Sequence, residues 1–188
     1  MILEYSIDEA IATFLEAAVS SGWILQTREK AQPVLPVSII ERYSNIPNAF
    51  IEFLSIVLDA APSDEKAWFL CEANYNGTSP TTSAWNEWEL FDCDNFKDDP
   101  DLVVATKKFW DQHFPIMMSV RSDFAYIAID MSTDHYGTIV FGYSPFLLEP
   151  KCLYAAFPDF LISLAHSITL AASGSIDNVK PPDLTDFV

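Results

Sequence analysis

Apolar residues in this chain recur with two periods, one helical and one alternating. Helical spacing is clearest near the start, where Ile7, Ala10, Ile11, Phe14, Leu15, Ala18 and Val19 make one stripe. Ser6 can cap that stripe, Glu9 completes a capping box and Gly22 is a natural stop. Residues 26–36 mix charge with proline and read as a connection with room for a short strand. A second helix is expected over residues 48–58, opened by Pro47, lined by Phe50, Phe53, Leu54 and Val57, and closed by Pro62, Ser63 and Asp64. A third is expected over residues 101–113, with Leu102, Ala105, Phe109 and either Trp110 or His113 turned inward. A last helix is expected over residues 158–172. Phe157, Phe160, Leu161, Leu164, Ile168 and either Ala171 or Ala172 fall on one of its faces.

The shorter period predicts strands. Residues 66–72 (KAWFLCE) and the aromatic run 85–91 (WNEWELF) fit it, with a turn at Asn76-Gly77 and a loop, TSPTTS, between them. The strongest β signal is three successive runs, 115–120, 124–130 and 137–143, the last two separated by the loop MSTDHYG. In the middle run both alternating sets are apolar, so this strand is expected to be central and covered on both faces. Residues 146–154 lead into the last helix, and SIDNVKPPDLTDFV reads as a polar tail that frays. The order of elements predicts an α+β fold with helices packed on a largely antiparallel sheet. It divides into one domain over residues 1–173 and a tail over 174–188.

Composition adds one strong fact. Against 27 Asp and Glu stand ten Lys and Arg, a net charge of −17, yet 14% of the residues are aromatic. Disordered acidic tails are poor in aromatics, so this is a packed domain with an acidic surface. Such a surface repels nucleic acid and anionic membranes and speeds encounter with basic partners. Residues 160–176 carry no charge, but Ser163, His166, Ser167 and Thr169 interrupt them, which fits an amphipathic core helix better than a membrane span. The start, MILEYSIDEA, lacks the basic leader and apolar core of a secretory signal. Cys71, Cys93 and Cys152 are odd in number and widely spaced, which suggests reduced thiols, read as small buried hydrophobes. A cytoplasmic location is expected, and the sequon Asn76-Gly77-Thr78 then reads as a turn.

Three landmarks follow one another in a familiar order. IPNAFIEFLSIV leads to ANYNG; FPIMMSVRSDFAYIAID leads to YGTIVFGY; AAFPDFLISLA closes the series. Together they resemble the SUKH superfamily (Smi/Knr-like), which holds bacterial toxin-immunity proteins and fungal regulators of cell-wall assembly. The resemblance covers residues 46–165. The chain departs from that pattern in a long acidic stretch at 78–100, and in Arg121-Ser122-Asp123 where relatives often carry glycine. The resemblance implies a non-enzymatic binding domain without catalytic residues or cofactor. Its implied partner is a cognate protein toxin, expected to be a basic nuclease domain.

Residues 87–101 hold seven acids and one lysine, the densest charge in the chain. Glu87, Glu89, Asp92, Asp94, Asp98, Asp99 and Asp101 could stand in for the phosphates that a nuclease cleft binds, with Trp85 and Trp88 as anchors. The plainer alternative is a solvated loop with both tryptophans in the core. No metal site is expected: Asp92, Asp94 and Asp98 lack the glycine and terminal glutamate of a calcium loop, and a turn accounts for Asp130, Asp134 and His135. No enzyme is expected either. His113, His135 and His166 fall in separate elements, Ser63 and Lys66 lack the companion motifs of a serine–lysine pair, and no phosphate or nucleophile motif is present. A scaffold of the same fold without a toxin, or an enzyme with an unrecognised site, are the rival readings.

Overall fold

The computed structural model describes residues 5–79, 84–145 and 148–188. The first four residues, most of the expected TSPTTS loop and the start of the segment at 146 lie outside them. Helix α1 (Ile7–Ser20) begins with the expected capping box: the Glu9 amide donates to Ser6 Oγ and the Ser6 amide to Glu9 Oε2. It buries Ala10, Ile11, Phe14 and Ala18 and leaves Val19 exposed. Strand β1 (Ile24–Thr27) follows, then the short helix α2 (Val37–Arg42), for which no helix was expected.

Helix α3 (Asn48–Leu54) stops four residues earlier than its apolar stripe implied, and Val57 opens strand β2 (Val57–Ala61) instead. Arg28 explains the boundary. Its guanidinium donates to the Ser55 and Leu54 carbonyls at 3.1 and 2.9 Å, so the last turn of α3 is capped by a side chain from beyond β1. β2 then pairs antiparallel with β1. Strand β3 (Ala67–Phe69) is the short core of the expected 66–72 run, whose end becomes helix α4 (Glu72–Tyr75). The run 85–91, expected as a strand, lies largely in helix α5 (Glu87–Asn95). Helix α6 (Pro100–Gln112) begins at Asp99, whose carboxylate accepts from the Asp101 and Leu102 amides. Strands β4 (His113–Ser119), β5 (Phe124–Asp130), β6 (Ile139–Ser144) and β7 (Lys151–Tyr154) follow, then helix α7 (Phe157–Ala172).

Strands β3 to β7 form one antiparallel sheet in sequence order, with β5 in the middle, so the fold is α+β as expected. Register assigns the faces. Phe69, Met117, Ile127 and Phe141 are aligned across four strands and lie under α1, α3 and α7. Phe14, Phe50, Phe53 and Phe157 pack there edge-on, with centroids 5.2–5.9 Å apart. Trp68, Met118, Tyr126 and Gly142 are aligned on the opposite face, under α5 and α6. Trp110 of α6 meets Tyr126 there at 5.0 Å. β5 is therefore covered on both sides, as its two apolar sets require.

The tail does not fray. Val179, Leu184, Phe187 and Val188 are buried, and Phe187 packs on Phe141. The Asp186 carboxylate accepts from Ser122 and from the Tyr143 hydroxyl at 2.9 Å. Burial, with that hydrogen bond behind it, pushes the Tyr143 phenol up to about 12. Among the described residues no helix is long and apolar enough to cross a membrane. Of the cysteines only Cys71 is buried, so the expectation of three buried thiols is corrected for Cys93 and Cys152.

Gly142 has a packing reason. A Cβ there would overlap the Tyr126 hydroxyl and ring. Gly142→Ala is expected to lose about 1–3 kcal/mol of stability, read as a lower urea midpoint at unchanged slope.

Candidate functional site

The residues of α5 divide around the helix at spacings of three and four. Trp88 and Asp92 turn inward. The Trp88 indole N–H donates to the Ala125 carbonyl at 3.1 Å, and its ring packs on Trp68 and Phe124. Asp92 is fully buried and accepts from the Ser144 hydroxyl. Glu89 turns sideways and accepts two bonds from Arg42 of α2, at 2.7 and 2.9 Å. The same guanidinium donates to Asp111 at 2.8 Å and lies over the Tyr43 and Trp85 rings. Burial alone would lower the Arg42 pKa, but the hydrogen bond to Glu89 and the neighbouring Tyr43, Glu89 and Asp111 together outweigh it and hold the pKa above its ordinary value.

The expectation that all nine candidate residues face a partner is thus corrected for three. Trp88, Glu89 and Asp92 are buried, and each bonds to the protein's own sheet or to Arg42. Trp85 and Glu87 are half-buried, with Trp85 set against Tyr43 and Tyr75. Asp94, Asp98, Asp99 and Asp101 are exposed, Asp99 serving also as the cap of α6. The stretch is helix α5 and the Asp99-capped start of α6, not a solvated loop.

The outward stripe of α5 is Glu87, Leu90, Phe91 and Asp94. Leu90 is 54% exposed and Phe91 39%. The Phe91 ring lies 4.9 Å from that of Phe124, also exposed, so the apolar patch continues onto the start of β5 beside Asp123. A short apolar strip with acids at both ends results. Sequence reasoning missed Leu90, Phe91 and Phe124; the signal for Leu90 and Phe91 was the helical phase of residues 87–94, and Phe124 joins them only through the fold.

A concavity lies at the C-terminal end of α6. It is a cavity of about 510 Å³ on the sheet face that α6 leaves uncovered beyond its last turn. Its floor is His113 and Asp130, directly opposite each other on β4 and β5, with Val140 and Cys152 opposed on β6 and β7. Phe109 and Gln112 of α6 form one wall, and Ser132, His135 and Thr138 another. Residues 148–150 close the rim. Sequence reasoning kept the three histidines apart. The fold brings His113 and His135 into this one cavity and leaves His166 exposed on α7. His113 Nδ1 is bonded to the Phe109 carbonyl at 2.8 Å, which leaves Nε2 as the acceptor of a neutral ring. Burial pushes the His113 pKa below 6.5, against the opposing pull of that hydrogen bond and the Asp130 charge. Among the described residues no three His, Cys, Asp or Glu side chains are grouped to hold a metal ion.

No family model, curated protein or solved structure matches the chain.

Two outcomes test this geometry. Arg42→Ala leaves Glu89 buried without its counter-ion and is expected to lose about 3 kcal/mol in chemical denaturation, far more than Lys97→Ala at an exposed pair. Because the folded pKa of His113 is depressed, the unfolded chain binds its proton first as pH falls. Stability should therefore decline below pH 6.5, and His113→Gln should flatten that decline relative to the parent chain.

Proposed function

We propose that the protein is a cytoplasmic immunity-type binding protein of SUKH-like fold, which neutralises a basic toxin domain, a nuclease, by direct contact. One observation carries this reading beyond the resemblance: the outward strip of α5, where Leu90, Phe91 and Phe124 stand exposed between Glu87, Asp94 and Asp123. Exposed aromatics held on a rigid helix supply desolvated anchors, and the flanking carboxylates steer a positively charged cleft onto them. Trp88, Glu89 and Asp92 act from behind, fixing the helix that presents the strip.

The supporting experiment is co-expression with the product of the neighbouring gene, reading rescue from its toxicity and complex formation. Rescue with binding supports immunity. Absence of a toxin there turns the same strip into the docking face of a scaffold for an endogenous basic protein. With a partner in hand, Phe91→Ala should speed dissociation about tenfold or more. Reversing Glu87, Asp94, Asp98 and Asp123 to lysine should slow association at least tenfold at low salt and far less at high salt. An unchanged on-rate moves the interface to another face.

A second reading, an enzyme, is favoured by the meeting of His113, Asp130 and His135 in one cavity. It requires that His113→Gln abolish protection while leaving partner binding intact.

A further inference from the structure

We propose that the cavity at the end of α6 is a binding site for an alkylguanidinium, the chemistry of an arginine side chain. Its volume of about 510 Å³ lies in the range of small-ligand pockets. Its charge is one-sided: Asp130 and Glu149 line it, and no lysine or arginine does. That disfavours phosphates and carboxylates as ligands and favours a cation. The last turn of α6 forms a wall, so the negative end of a 13-residue helix adds to the same potential.

The floor is built rather than incidental. His113 and Asp130 are each more than nine-tenths buried and are paired across two strands. Asp130 Oδ1 accepts from the Ser132 amide at 2.8 Å, and its second oxygen has no protein donor among the described residues. His113 spends Nδ1 on the Phe109 carbonyl, and Nε2 likewise has no partner there. A carboxylate oxygen and a neutral imidazole nitrogen, side by side on adjacent strands, are acceptors at separate positions. The Glu149 carboxylate on the rim adds a third. A planar group with five fixed donors satisfies several such acceptors at once, which a compact ammonium does less well. Phe109, Val140 and Pro150 offer apolar surface for the stem.

This site does not rest on the toxin reading. None of its lining residues belongs to α5 or to the acidic strip.

The test titrates the full chain with agmatine and with N-acetyl-arginine methylamide, by calorimetry and amide chemical shifts. The ureido analogue, N-acetyl-citrulline methylamide, is the neutral control. Saturable binding is expected, with shifts confined to residues around His113, Asp130, Val140 and Cys152, and at least tenfold weaker for the analogue. Glu149→Gln, at an exposed position, and Asp130→Asn, which keeps the acceptor for Ser132, should each weaken it several-fold; Phe91→Ala should not. Tighter binding of agmatine identifies a free small molecule as the source, and tighter binding of the capped arginine a peptide side chain. No saturation by about 10 mM, equal binding of the citrulline analogue, shifts spread over α5, or full affinity in both acid variants would each overturn the proposal.

Discussion

The middle strands of the sheet are apolar on both faces, and the helices are placed to cover them. β4 and the middle strand β5 are buried along almost their whole length. One face is covered by α1, α3 and α7, which converge on it with a shell of phenylalanines. The other must be covered by the excursion between β3 and β4, because α5 and α6 are the helices that excursion supplies against it. Burying a large apolar side chain contributes roughly 1.5–3 kcal/mol. Trp88 and Trp110 are therefore stronger determinants of where this acidic stretch sits than Asp94, Asp98, Asp99 and Asp101, which remain exposed on the outer side.

The same constraint explains which parts of the fold were legible in the sequence. α1, α7 and β4–β6 carry local signals, a capping box or an alternation, that no distant contact overrides. Residues 85–91 misled because tryptophan and phenylalanine favour strands, while the information lay in the spacing beyond them: Trp88 and Asp92 share a helical face, whereas a strand would have set Trp85 on one face with Glu87 and Glu89. The end of α3 was illegible for another reason, since Arg28 sets it from 26 residues away. In the tail, Val179, Leu184 and Phe187 follow no period, so their burial could not be read from pattern.

The site was legible as a composition and illegible as a surface. Seven acids in fifteen positions look alike in sequence. Folding neutralises Glu89 with an arginine 47 residues away and hides Asp92 beneath the helix, and neither fate has a local mark. The cavity needed even more: His113 and Asp130 meet through strand register alone. Charge is also sorted. Six of the ten lysines and arginines, Arg28, Lys30, Arg42, Lys97, Arg121 and Lys151, are engaged in ion pairs within the chain, which leaves much of the acidic excess to face outward.

The packing of α1 against α7 has a consequence on the ribosome. α1 is made first, and its buried stripe rests on a helix that begins only at Phe157. At roughly 5–20 residues per second, the face of α1 that meets α7 waits on the order of ten seconds for that partner to be synthesised. During that interval the nascent chain exposes the apolar surface of α1 that α7 will cover, a natural ligand for chaperones that meet nascent chains.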